Sequence, residues 1–358
     1  MPANLLLPAG PVDYRQRLAY LEEQGGGGIE LKTGRVNEPW AMEILHIVKG
    51  WGDHFPVTWH VPEDVSRRFG FADFDFEMYL GQISVADQLF ENGLDAIIQH
   101  CGAMKWIDDY DPSKSFQEQY ASDFTSAEIL GQIERHVDRF GRVVARYGGR
   151  RVLIENCPLT LWKVLDSEHL VNFLGPQIGS PDTTTYIANL VGCGNVLDTG
   201  HFNEYWSLVK GKYDFEQFRR GMWVADLEQM AKNHQTRHYV ELALIAGYWN
   251  HQSYVPDCHS EELDLLWHIR HCRYRLFHID ACRGTWVGGK SDMERPVLTD
   301  EDAKVIHLDE IIRVAKANDD CLGMTVENVG FEAYPMLTER PTDWEGKRRT
   351  FEFLKSKI

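Results

Sequence analysis

Short apolar runs alternate with longer amphipathic stretches along almost the whole chain, and this rhythm restricts the fold more than any other feature. Eight runs read as strands: "NLLLPAG" (4–10), "GGIELKTG" (27–34), "FPVTWHVP" (55–62), "DAIIQHCG" (95–102), "RRVLIENCP" (150–158), "GNVLDTGHF" (194–202), "YRLFHIDAC" (274–282) and "LGMTVENVG" (322–330). Most are too apolar to expose one face, which is the pattern of parallel strands covered on both sides. The stretches between them, such as "DYRQRLAYLEEQ", "SAEILGQIERHVDRFGRVVARYG" and "HLDEIIRVAKAND", carry apolar residues at helical spacing. Eight βα units in succession predict an α/β protein of the (β/α)8, or TIM, barrel type.

A chain of 358 residues accommodates one such barrel with insertions. No linker biased in proline, serine or charge divides it, so residues 1–358 read as a single domain. One region breaks the rhythm. Between the sixth and seventh strands, Tyr205 to Arg273, run nearly seventy residues where one helix would suffice, and this predicts an insertion (205–273) suited to a lid or a subunit contact. The tetraglycine Gly25 to Gly28 reads as a helix-to-strand connector, because no helix opens after it as a phosphate-cradling loop requires. The closing "DWEGKRRTFEFLKSKI" reads as a last helix.

The formal charge of −17 argues against a nucleic-acid partner, whose phosphates call for clustered lysine and arginine. The opening "MPANLLLPAGPVDY" lacks a basic segment before its short apolar stretch, and no segment approaches the ~18 apolar residues of a membrane span. Seven cysteines without a CxxC pair suit reduced thiols, so a cytoplasmic protein without a membrane partner is expected.

The chemistry lies at the strand ends. They carry His60, His100, Glu155, Asp198 with His201, His278 with Asp280, and Glu327. In a barrel, all parallel strands point their carboxyl ends to one face, so residues more than 250 positions apart converge there. A single histidine or glutamate at a strand end is usually a capping or hydrogen-bonding group. Carboxylates after apolar strands, however, are costly unless a cation or hydrogen bonds compensate them. Glu155, Asp198, His278 and Glu327 are therefore read jointly as ligands of one divalent metal. Three carboxylates and an imidazole suit Mn²⁺ first, with Mg²⁺, Co²⁺ or Zn²⁺ as alternatives.

The motifs "LIEN", "LDTGH", "FHID" and "TVEN", in this order on successive strands, resemble the xylose isomerase-like TIM-barrel superfamily, which includes enzymes of the AP endonuclease family 2 type. That superfamily holds D-tagatose 3-epimerase-like sugar epimerases and isomerases, inosose dehydratases, C-glycoside-cleaving enzymes and endonuclease IV. The resemblance covers about residues 28 to 330 and is nearest in site pattern to the epimerases. It implies a metal held by Glu155, Asp198, His278 and Glu327, with His201 and Arg283 contacting substrate; Arg283 sits one residue short of the epimerase spacing. "NCPLTLW" after Glu155 departs from the epimerase pattern. Endonuclease IV adds histidines on earlier strands, matched by His60 and His100. Its later Asp-x-His pair is not met, because "SDMER" places Glu294 two after Asp292. His60 and His100 are accordingly assigned to sugar binding or to support of the metal ligands.

The expected function is that of a divalent-metal-dependent sugar isomerase or epimerase, which abstracts a proton next to a carbonyl through an enediolate-type intermediate. Glu155 and Glu327 are the candidate proton-transfer groups, with a bound water or His201 as the alternative. Trp106 and Trp162, among the tryptophans in loops after strands, suit stacking on a sugar or aglycone. The same proton abstraction would serve a lyase, a dehydratase or a C-glycoside-cleaving enzyme; a DNA-repair enzyme and a non-catalytic binding protein are the remaining alternatives. A homo-oligomer is expected, with a second subunit type as the other possibility.

Overall fold

A computed structural model of the chain describes residues 4–32, 39–52, 54–62, 68–102, 106–107, 126–157, 163–165, 170–174, 181–203, 265–281, 286–287, 290–291, 296–327 and 344–358. Eight parallel strands close into a barrel: β1 (Leu5–Ala9), β2 (Gly28–Lys32), β3 (Val57–His60), β4 (Ala96–His100), β5 (Val152–Glu155), β6 (Gly194–Asp198), β7 (Leu276–Ile279) and β8 (Gly323–Val326). Each pairs with the next in chain order. β8 returns to β1 through Leu5 opposite Met324 and Leu6 opposite Thr325. The eight strands are those the sequence pattern predicts.

Helices follow the strands: α1 (Tyr14–Glu23), α2 (Pro39–Trp51), α3 (Ala86–Glu91), α4 (Ser126–Tyr147), α5 (Pro181–Val191), α6 (Leu265–His271), α7 (Leu308–Ala317) and α8 (Trp344–Lys357). None among the described residues is long and apolar enough to cross a membrane. The five described cysteines, Cys101, Cys157, Cys193, Cys272 and Cys321, are free thiols. Residues 205–264 of the expected insertion lie outside the described residues. The insertion's last part is α6, the helix that delivers the chain to β7.

Two additions were not foreseen. Trp106–Ile107, from the segment after β4, pairs antiparallel with Leu170–Leu174, which pairs with Lys163–Leu165 from the segment after β5. A second short ribbon joins Trp286–Val287 to Lys290–Ser291 after β7. Both arise from chain that leaves carboxyl ends of barrel strands.

Side chains alternate across each strand, so every second residue enters the barrel. Leu6, Ala96, Ile98, Leu153, Val196 and Leu276 form an apolar cluster of their own inside it. Two residues further along the same strands stand His100, Glu155, Asp198 and His278. The barrel interior is therefore layered, with an apolar floor at mid-strand and polar groups above it at the carboxyl ends. The other strand face packs into the main core with the helices, as Ile97, Ile154, Leu197 and Phe277 do.

The tetraglycine acts as the expected connector. Gly25 and Gly26 have φ of +88° and +102°, and their N–H groups donate to the Glu22 and Leu21 carbonyls, ending α1. At Gly28, the first residue of β2, a Cβ would lie 2.7 Å from both Leu6 and the Pro56 carbonyl, so only glycine fits between the neighbouring strands.

The ends of the chain meet at a buried cation. Arg17 of α1 is fully buried, pairs with Asp13 at 2.7 Å, and lies over the Trp344 ring of α8 at 3.9 Å. Asp13→Ala removes the carboxylate facing this guanidinium and is expected to destabilise the fold by on the order of 3 kcal/mol. Chemical denaturation reads the loss; a stability equal to that of the parent protein would show that other groups compensate Arg17 by themselves.

Candidate metal centre

The motif "LDTGH" shows how local sequence builds the site. Asp198 ends β6 and its Oδ1 accepts the His201 backbone N–H at 2.6 Å, three residues into the helical turn at 199–203. This is N-capping geometry, and it leaves Oδ2 buried in the barrel interior without a hydrogen-bond partner. The Thr199 hydroxyl donates to the Asp280 carbonyl at 2.8 Å and ties the end of β6 to the end of β7. A Cβ at Gly200 would fall 2.3 Å from Asp280 Oδ2, so the glycine makes room for that carboxylate. Asp280 thus supports the strand ends rather than joining the central cluster.

The asparagine of "LIEN" makes a similar clasp. Asn156 Oδ1 accepts the Asp198 N–H at 2.8 Å, and its Nδ2 donates to the Asp198 carbonyl at 3.1 Å, locking β5 to β6. The Asn156 carbonyl accepts His201 Nδ1–H at 2.8 Å, which fixes the tautomer of a neutral His201 with Nε2 unprotonated.

Glu155, Asp198, His278 and Glu327 come together at the carboxyl ends of β5 to β8, all buried, with one ligand atom from each within 4.8 Å of the others. His278 is at the centre. Its Nδ1 lies 2.9 Å from Glu155 Oε1, 3.8 Å from Asp198 Oδ2, and in contact with Glu327 Oε2. Burial alone would lower the pKa of His278, but Glu155 and Glu30 outweigh it and lift the ring to about 10. Burial raises Glu155 in turn, while His278 and His100 hold its carboxyl well below the usual range. Asp198 is pushed up by burial and by the Glu155 charge.

His60 and His100 are brought to the same carboxylate. Their Nε2 atoms lie 3.1 and 3.2 Å from Glu155 Oε2 and 3.3 Å from each other. His60 Nδ1 donates to the Val61 carbonyl at 3.0 Å. With Glu155 they form a second buried group able to hold a metal. His100 is driven down to about 4, chiefly by burial.

Two residues of the site were missed in the sequence. Glu30 of β2 is fully buried and accepts from His278 Nε2 and from the Thr325 hydroxyl, each at 2.9 Å. Lys32 lies 3.4 Å from Glu30 Oε1 and contacts Glu327 Oε1. Burial raises Glu30, yet His278 and Lys32 prevail and bring it to about 2. The signal was present in "GIELK": two charges two positions apart share one face of a strand, and in a barrel that face is interior.

Of the remaining expected residues, Arg283 and Trp162 lie outside the described residues, and only the backbone of Trp106 is described.

The donor set fits a divalent cation. Glu30, Glu155, Asp198 and Glu327 carry four negative charges when ionised, against one each on Lys32 and a protonated His278, an excess of two. Asp198 Oδ2 and Glu327 Oε2 are buried without hydrogen bonds, the first 3.8 Å from His278 Nδ1 and the second in contact with it. A cation at this point would take one imidazole nitrogen and three carboxylate oxygens.

Fold and cluster together define an α/β barrel with a polar, metal-competent site at its C-terminal mouth. A solved structure of L-ribulose 3-epimerase matches with a TM-score of 0.52 at 12% sequence identity, over 100% of this chain and 94% of that one. A sugar phosphate isomerase/epimerase from Parabacteroides distasonis matches over 98% of each chain, at 13% identity and a TM-score of 0.42. At these identities the first match establishes a shared barrel fold, and the second adds no weight. No family model and no curated protein sequence matches the chain.

Stripping the protein with a chelator and titrating it with Mn²⁺ is expected to raise its stability, by about 2.7 kcal/mol at a free-ion concentration one hundred times Kd. Asp198→Asn should lose most of this gain. Melting that ignores saturating Mn²⁺ would remove the cluster as an ion site; a gain undiminished in the variant would remove Asp198 from its ligands.

Proposed function

We propose that the chain is a divalent-metal-dependent sugar isomerase or epimerase that moves a proton at the carbon next to a carbonyl. The observation that carries this reading is the convergence of Glu155, Asp198, His278 and Glu327 on one point at the mouth of the barrel. The barrel fold shared with an L-ribulose 3-epimerase supports it. A divalent ion held by the four residues, Mn²⁺ being the first choice for this oxygen-rich set, would supply positive charge to stabilise the enediolate-type anion.

The two candidate proton-transfer groups differ in their surroundings. Both Glu155 oxygens are engaged by imidazoles, Oε1 by His278 and Oε2 by His60 and His100, and the side chain is fully buried. Such a group is suited to be a fixed ligand. Glu327 meets Lys32 through Oε1 and His278 through Oε2, but keeps about 10% of its side chain exposed. We assign the first proton abstraction to Glu327, because a base must reach a substrate that enters from the mouth. Glu155 is the candidate to return a proton on the other side. His60, His100, His201 and, from outside the described residues, Arg283 and Trp162 are assigned to the sugar.

Free ketoses and aldoses, together with 3-keto glycosides, screened with added Mn²⁺ in D₂O, test the reading. Deuterium uptake into a free sugar is expected; release of an aglycone without it would point to a lyase instead. Glu327→Gln, with full metal content verified, should keep substrate binding and lose roughly 10² to 10⁴ in turnover. A fully loaded variant exchanging substrate hydrogen at the parental rate would transfer the base role to Glu155, His201 or water.

A further inference from the structure

Each strand from β3 to β8 brings one residue to the central cluster, His60, His100, Glu155, Asp198, His278 and Glu327, within one position of its end; β2 brings two, Glu30 and Lys32, which no strand-end pattern assigned. Glu30 is the more demanding. A fully buried carboxylate costs several kcal/mol unless its charge and lone pairs are served. Here Oε2 accepts from the Thr325 hydroxyl of β8 and from His278 Nε2, and Oε1 faces the Lys32 ammonium at 3.4 Å. Glu30 is thus held by three strands and addresses the His278 nitrogen opposite the one that faces Glu155, Asp198 and Glu327.

We propose that Glu30 is a positioning residue of the metal centre, holding the His278 ring by Nε2 so that Nδ1 presents its lone pair to the ion. This rests on the metal site proposed above and adds to it the residue that orients its only imidazole ligand. Three physical effects follow from the contact. A carboxylate accepts but cannot donate, so the proton stays on Nε2 and the tautomer is set. The ring cannot turn over without breaking a 2.9 Å hydrogen bond, which removes the orientations that would point carbon at the ion. The negative charge behind the ring makes Nδ1 a stronger donor, as carboxylate–imidazole–metal arrangements do generally. Lys32 extends the same support. It spans Glu30 Oε1 and Glu327 Oε1, so β2 steadies two of the four proposed ligands from behind.

The rival interpretation is that Glu30, Lys32 and His278 are an ion-pair network that only stabilises the barrel interior. Titration of the chelator-stripped full chain separates the two, with Mn²⁺ followed by calorimetry and Co²⁺ by visible absorption. Metal-free thermal melting records the folding contribution independently. Glu30→Ala is expected to weaken Mn²⁺ binding roughly 10- to 100-fold and to change the Co²⁺ spectrum. Glu30→Gln retains an oxygen that can accept Nε2–H but no charge; it should keep a spectrum close to the parent's, with a smaller loss of affinity. Glu30→Asp keeps the charge but falls one methylene short of the ring, and should resemble Glu30→Ala more than Glu30→Gln.

Parental Mn²⁺ affinity and Co²⁺ spectrum in the variants, whatever their melting points, would overturn the proposal and leave Glu30 a structural ion pair. If Glu30→Ala does not fold, the Gln and Asp variants decide by the same criterion. The parent protein and Asp198→Asn identify a failure of the underlying site. A parent that binds no ion brings down both readings. Asp198→Asn binding as tightly as the parent, while Glu30→Ala is weakened, would remove Asp198 as a ligand and leave the role of Glu30 standing.

Discussion

The His278 imidazole, held between Glu30 on one nitrogen and Glu155 on the other, is the contact on which the polar end of the barrel depends. It spans the interior from β2 to β5, strands that are not neighbours in the sheet, so it exists only because the sheet is closed. Without it, Glu30 and Glu155 would be buried carboxylates deprived of their chief counter-charge. The ring also brings Asp198 Oδ2 and Glu327 Oε2 toward a common point. Despite burial, the carboxylates around the ring raise its pKa and so favour a proton there, and the chemistry of the donor set suits exchange of such a proton for a divalent cation.

This polar layer stays rigid because of what lies beneath and around it. The apolar floor of Leu6, Ile98, Leu153, Val196 and Leu276 fills the barrel below, so the charged groups cannot sink or rotate without leaving a void. Laterally, the strand ends are clasped in series: Asn156 joins β5 to β6, and Thr199 joins β6 to β7. Each clasp uses a residue adjacent to a proposed ligand. The motifs are therefore short because ligand and support occupy consecutive positions at the end of one strand.

Likeness to an L-ribulose 3-epimerase at 12% identity speaks for a common backbone plan, and barrels of this plan host many chemistries. The functional reading stands on the site. Glu155 and Glu327, which the strand-end pattern had treated as equal, differ in burial and partners, and the proposed division of ligand and base roles rests on that difference. Lys32 places a cation beside Glu327, the more exposed of the two candidate proton-transfer groups.

The amino-acid sequence alone determined the eight strands, their order and the identity of the four residues that converge at β5 to β8. These follow from local periodicity and from the rule that parallel strands end on one face, neither of which needs knowledge of distant contacts. Glu30 and Lys32 escaped because "IELK" alternates apolar and charged residues as a half-exposed strand does. Whether the charged face meets water or the barrel axis is set by closure between β1 and β8. The engagement of His60 and His100 with Glu155, the tucking of Asp280 under Gly200 and the seat of Arg17 against Trp344 were likewise decided only by the tertiary structure. Each joins residues from separate strands or helices. Side-chain type names the groups able to meet, but strand register and barrel closure select the ones that do, because hydrogen bonds and ion pairs act over a few ångströms and those distances exist only once the sheet has closed.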